Sequence, residues 1–187
     1  MSPEAEQQAF RRLLADEAAK DRSLLQPLAR PAPAALQAIG LARVQFGRAK
    51  RELPGAIQAS DLDEPYLSAY RSLVSGCNAM LAAYGYRIRG GDGSHFETLR
   101  LAALGLAASS PKAGTLLETI REPVRSARNE AEYQRPGVTT AADLREILDA
   151  VSVILPGAVD LVSQLTGGPL AVGADDWSAA DLLDALK

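Results

Sequence analysis

The chain has one cysteine, Cys77, and one histidine, His95, in 187 residues. A lone cysteine excludes an intrachain disulfide and points to a reducing compartment. The usual zinc sets cannot be assembled, because they take three or four ligands mainly from these two residue types. The paired Glu-x-x-His motifs of di-metal bundles are missing as well, since Asp92 stands three residues before His95 and there is no second histidine. No metal and no cofactor is expected. Aromatic residues make up only 5% of the chain, and no alternating β-branched run lies between turns, so strands are not signalled. Nor does any stretch approach the roughly 20 apolar residues that span a bilayer. The opening "MSPEAEQQAFRRLL" is polar and acidic where a signal peptide is basic and then apolar. A cytoplasmic protein without membrane contact is the expectation.

What the chain does have is alanine, leucine and a real supply of apolar surface. Hydrophobic residues are 47% and charged residues 23%, a balance that buries a core and is far from the disordered range. Few aromatics with many good helix formers give an all-α reading. The length suits one domain with appended helices rather than two full domains. The net charge of -3 and pI near 5.3 exclude a protein whose whole surface clamps nucleic acid. Only a local basic stripe could do so.

Three regions follow from the punctuation. Residues 1–33 read as an amino-terminal helix, from about Pro3 to Leu25 with a narrow apolar side of Phe10, Leu13 and Leu14. After it comes the proline-rich linker "PLARPAPAA". Residues 34–166 read as an antiparallel helical bundle. Its first helix runs from about Ala34 to Leu53 and stops at Pro54 and Gly55; Leu36, Ile39, Val44 and Phe46 are among its apolar residues, and its polar side is basic. The next runs from near Asp61, in a capping box with Glu64, to about Tyr86. Tyr66, Tyr70, Leu73, Cys77, Met80, Leu81 and Tyr84 recur there at threes and fours, which predicts one buried stripe. The glycine-rich turn "RIRGGDGSH" leads to a helix capped by Ser94 and reaching about Ala108, with Phe96, Leu99, Ala103 and Leu104 inward. Ser109, Ser110 and Pro111 break it.

A further helix from about Lys112 to Tyr133 has Leu116, Ile120, Val124, Ala127 and Ala131 on its core face and a kink predicted at Pro123. It ends before Pro136 and Gly137. The last bundle helix runs from Thr139 or Thr140 to about Leu165. Leu144, Ile147, Leu148, Val151, Leu155, Ala158 and Val162 are in register along it, and Pro156 predicts a second kink. Residues 167–187 read as the linker "TGGPLAVGADDW" and a short acidic helix, "SAADLLDALK". Ser178 and Asp181 resemble a capping box there, and Trp177 and Leu182 a hydrophobic staple.

The chemistry-bearing residues concentrate in two places. "GGDGSH" lacks the Gly-Lys-Ser/Thr ending of a phosphate loop and reads as a flexible turn, although a helix start at Ser94 and His95 can also hold an anion. In the Lys112–Tyr133 helix, Arg121, Arg125, Arg128 and Glu132 fall along one edge at 100° per residue. That edge is either a reader of phosphates or a solvated stripe paired with acids on a neighbouring helix.

The segments "AYRSLVSGCNAMLAAYGYRIRGGDGSHFETLRLA" and "LLETIREPVRSARNEAEYQRPGVTTAADLREILDAVSVIL" resemble the HEPN (higher eukaryote and prokaryote nucleotide-binding) domains. These are small helical bundles frequent in prokaryotic toxin–antitoxin and defence systems. Their ribonuclease motif is an arginine followed by a polar residue, three variable residues and a histidine. Arg128, Asn129, Glu130, Ala131, Glu132 and Tyr133 occupy those positions here, with tyrosine where the family has histidine. The resemblance implies a homodimer in which Arg128, with Arg121 and Arg125, holds RNA and Asn129 orients it without metal. Tyr133 is a poor proton shuttle, since a phenol of pKa about 10 replaces an imidazole of about 6.5. The chain is therefore expected to be weak or silent as a nuclease and to bind RNA and a protein partner such as an antitoxin. The alternative is a metal-independent endoribonuclease toxin using the variant Arg-Asn-x-x-x-Tyr motif at a dimer interface. His95 could supply the missing imidazole, because consecutive antiparallel helices bring the start of its helix level with the end of the next.

Overall fold

The computed structural model describes residues 2–91, 93–129, 131, 137–170 and 174–186. Seven α-helices dominate the described residues: α1 (Pro3–Ala18), α2 (Pro31–Ala59), α3 (Asp63–Ala83), α4 (Ser94–Ser109), α5 (Pro111–Asn129), α6 (Ala141–Thr166) and α7 (Ala180–Ala185). The protein is an all-α helical bundle. Against the expectation of no strands, β1 (Leu25–Pro27) and β2 (Tyr86–Ile88) form a two-stranded antiparallel ribbon with Leu25 opposite Ile88. Strands of three residues are too short to show a period of two, so the sequence pattern could not announce them.

α3 is the axle of the bundle, buried on nearly every side, and the whole predicted stripe from Tyr66 to Tyr84 lies inside. It packs against α2, α4 and α6. Its polar residues are satisfied internally: Ser72 donates to the Ala42 carbonyl at 2.7 Å and Ser75 to the Gln45 side chain at 2.8 Å. The predicted capping box at its start does not form. Asp61 accepts instead from the Asp63 amide at 3.2 Å, while the Glu64 carboxylate faces Arg48 at 3.4 Å.

α2 overrides the proline punctuation at both ends. Pro31 opens the helix and Pro33 falls in its first turn, where amides have no helical partner in any case, so these prolines start the helix rather than hold it extended. Pro54 lies inside it. The buried face Ala35, Ile39, Ala42, Phe46, Ala49 and Leu53 carries the helix past that point, to a left-handed stop at Ser60, φ 55°.

Ser94 is the first residue of α4 rather than its cap, which is Gly93 at φ 78°. Leu104, inward by the sequence pattern, is 42% exposed; Leu101 and Leu106 are buried instead. α5 runs back along α4 at very short range, because a Cβ on Gly114 would sit 2.6 Å from the Ala107 amide nitrogen. α6 begins as read, with Thr140 and Asp143 in a reciprocal capping box, and every residue of its predicted apolar register is buried.

At the carboxy end Trp177 is 1% exposed, with its ring centroid 6.1 Å from that of Phe46. The Ser178–Asp181 capping box is not made: α7 is capped at Ala179 without a side-chain bond, and Ser178 accepts from the Ala180 amide at 3.5 Å. α1 buries Phe10 and Leu14 in the same cluster, Phe10 meeting Tyr84 edge-on at 4.9 Å.

One carboxylate ties two helix starts together. Asp63, 7% exposed, accepts from the amides of Gly137 and Thr139 and from the Thr139 hydroxyl. Burial alone would raise its pKa, but these hydrogen bonds prevail and hold it below the ordinary value of 3.8. The folded state thus binds this proton more weakly than the unfolded chain does. The stabilisation is complete above about pH 4 and is lost as pH falls through the lower folded value. Asp63→Asn is expected to cost about 1–3 kcal/mol at neutral pH. Urea unfolding at about pH 7 and pH 3 should show the gap between variant and wild type narrowing in acid.

Candidate functional site

The site is made by the way the chain returns after α3. β2 carries it back along that helix, so α4 starts beside Tyr70 in the middle of α3, with the Tyr70 hydroxyl 3.3 Å from His95 Nδ1. The turn that permits this runs through Gly91 and Gly93 at φ 135° and 78°, conformations that side chains other than hydrogen rarely adopt. α5 then returns antiparallel to α4 and delivers its carboxy-terminal turn to the same end. Tyr66, buried in α3, donates its hydroxyl to the Val124 carbonyl at 3.0 Å and pins α5 just before that turn.

The result is a cleft of about 490 Å³ lined by Tyr70, Gly91, Gly93, Ser94, His95, Phe96, Arg125, Arg128 and Asn129. The sequence placed His95 and the Arg128–Asn129 pair in separate helices, and the fold brings them to one cavity. Arg128 lies over the Tyr70 ring at 5.9 Å and donates to the Asn129 side-chain oxygen at 3.1 Å. Arg125 lies over Phe96 at 5.6 Å and pairs with Glu122 at 2.6 Å. The hydrogen bond from Arg125 holds the Glu122 carboxyl below its ordinary range, and the reciprocal bond raises the guanidinium.

Arg121 does not line this cleft. It stacks on Phe96 at 4.9 Å, pairs with Glu118 at 2.8 Å and faces the groove between α4 and α5. The arginine edge is therefore divided by Phe96, and the acids paired with Arg121 and Arg125 come from their own helix, three residues earlier, rather than from a neighbour. Tyr133 and Glu132 lie outside the described residues. The periodicity of α3 places Tyr70 on the buried stripe, but a periodic pattern marks which face is inside and not which buried hydroxyl meets a cavity.

The chemistry on offer is two guanidinium groups, one imidazole, an amide, two aromatic faces and the start of a helix whose cap makes no side-chain bond. Cations with an open helix amino end attract phosphate, while the two aromatic faces already carry the guanidinium groups and hold them in place. Among the described residues no group of three His, Cys, Asp or Glu side chains stands close enough to hold a metal ion, and no helix is long and apolar enough to cross a membrane. The chain matches no family model, no curated protein and no solved structure.

Proposed function

We propose that the protein is a HEPN-like module of a prokaryotic toxin–antitoxin or defence system, acting as a homodimer that binds a protein partner and, through the cleft at the start of α4 and the end of α5, RNA. The observation that carries this reading is the shared cavity: Arg125, Arg128, Asn129 and His95 line it together with Tyr70 and Phe96. Guanidinium groups match phosphate oxygens in geometry and charge, and Asn129 beside Arg128 orients the contact. The acidic chain as a whole repels RNA, so binding is confined to this site.

Cleavage is slow or absent in this reading, because tyrosine stands at the family's histidine position. A second reading, the metal-independent endoribonuclease, draws support from one observation: the chain's only imidazole lines the cleft that holds Arg128 and Asn129. Incubation with labelled RNA in excess chelator separates the two. Rapid cleavage abolished by His95→Ala favours the nuclease, whereas intact RNA favours the binding module.

The binding claim is tested by fluorescence anisotropy with a fluorescein-labelled single-stranded RNA over a range of salt. Two phosphate contacts predict that log affinity falls against log salt with a slope of about -1.4. Affinity insensitive to salt, or none at micromolar protein, would sink the proposal. Light scattering at the same concentrations should give the mass of a dimer; a monomer would remove the homodimer from it.

A further inference from the structure

We propose that Tyr70 is the positioning residue of this cleft: its hydroxyl donates to His95 Nδ1 and its ring carries the Arg128 guanidinium, so one buried side chain sets two cleft groups. The functional meaning rests on the RNA-binding reading, but the hydrogen bond is measurable with no RNA present.

Tyr70 is 1% exposed. A hydroxyl at that depth is costly unless it is bonded to protein. The other two tyrosines of the α3 stripe serve different ends: the Tyr66 hydroxyl goes to the Val124 carbonyl, and the Tyr84 hydroxyl is buried without a hydrogen-bond partner among the described residues. Of these three, Tyr70 is the one whose hydroxyl meets the imidazole, at 3.3 Å, and whose ring lies under a cleft arginine, at 5.9 Å.

The two contacts reinforce each other. A cation over the ring face draws electron density from the phenol and makes its O–H a better donor. The phenol then donates and Nδ1 accepts, which puts the ring proton on Nε2. The imidazole is thereby a donor on the edge away from Tyr70, the form that suits a non-bridging phosphodiester oxygen. Because Tyr70 belongs to the most buried helix of the bundle, both groups are held by a rigid element rather than by the glycine turn.

His95 is the only histidine, so its ring nitrogens are read without ambiguity in long-range proton–nitrogen NMR spectra of the uniformly labelled full chain. At about pH 8, wild type should show the proton on Nε2 and Nδ1 as a hydrogen-bonded acceptor. Tyr70→Phe, which keeps the ring, should move the Nδ1 resonance toward that of a free acceptor. Tyr84→Phe, which removes a hydroxyl elsewhere, should leave it in place. A proton on Nδ1 in wild type, or an Nδ1 resonance unmoved by Tyr70→Phe, overturns the proposal.

The RNA arm uses the same labelled RNA. Tyr70→Phe should weaken binding roughly threefold to tenfold, as loss of one ordinary hydrogen bond does, and should cost nothing further on a His95→Ala background. Tyr70→Leu should weaken binding on that background too, because it also removes the ring face under Arg128. Equal losses from Tyr70→Phe with and without His95 would show a merely structural role and overturn the coupling. Failure of wild type to bind RNA, with the NMR result as expected, removes the RNA reading and leaves the Tyr70–His95 bond standing.

Discussion

Arg128→Ala is expected to weaken RNA binding about tenfold to a hundredfold while leaving the fold nearly untouched. A charge-assisted hydrogen bond to phosphate is worth about 1.5–3 kcal/mol, which corresponds to that range. Within the protein the same side chain contributes a contact with the face of Tyr70 at 5.9 Å and a bond to Asn129 at 3.1 Å. Such contacts are worth about 1 kcal/mol at a partly exposed site, or about 2–4 °C in melting temperature for a chain of this size. Arg43 is the matched control. It pairs with Asp176 at 2.9 Å and does not line the cleft, so Arg43→Ala should leave RNA affinity within about twofold. Equal losses for both variants, in parallel titrations, would mean that the attraction is diffuse.

The largest structural effect is expected at Gly114. A Cβ there would lie 2.6 Å from the amide nitrogen of Ala107, 2.7 Å from its Cα and 3.0 Å from the Ala103 carbonyl oxygen. All three are backbone atoms of α4 and cannot swing aside, so Gly114→Val must push α4 and α5 apart. The cost is expected to be about 3 kcal/mol, at the upper end for overpacked cores. That lowers the melting temperature by about 6–12 °C. Because the spacing of these two helices also sets the cleft, RNA affinity should fall with it. Gly40 provides the contrast: nothing lies within 4 Å of its added Cβ, so Gly40→Ala should stabilise α2 by about 0.5–1 kcal/mol. Thermal melts of the two variants side by side check both statements.

The core was largely legible in the sequence because burial imposes a period. The α3 and α6 registers hold residue for residue, since a helix buried along its length repeats apolar contacts at threes and fours. The proline readings failed at α2 for an equally physical reason. Pro31 and Pro33 sit where helical amides are unpaired anyway, and the buried face from Ala35 to Leu53 outweighs one interior proline. The failed capping boxes at Asp61 and Ser178 show that a four-residue spacing does not choose between competing acceptors such as the Asp63 amide. At the site, Arg128, Asn129 and His95 could be named from residue type and order. Their meeting at one end follows from consecutive antiparallel helices; the Tyr70 wall of the cleft depends on the return through β2, and the separation of Arg121 from the cleft on Phe96 standing between the arginines. Neither is encoded in spacing along one helix.

The central claim is that RNA enters the cleft shared by the start of α4 and the end of α5. His95 reports on that cleft alone, because no other histidine exists. Titration of the labelled chain with single-stranded RNA, followed on the His95 ring resonances, tests the claim most directly. Saturable shifts are expected, with the same affinity and salt dependence as anisotropy gives, lost in Arg128→Ala. RNA that binds by anisotropy while the His95 resonances stay in place would contradict it.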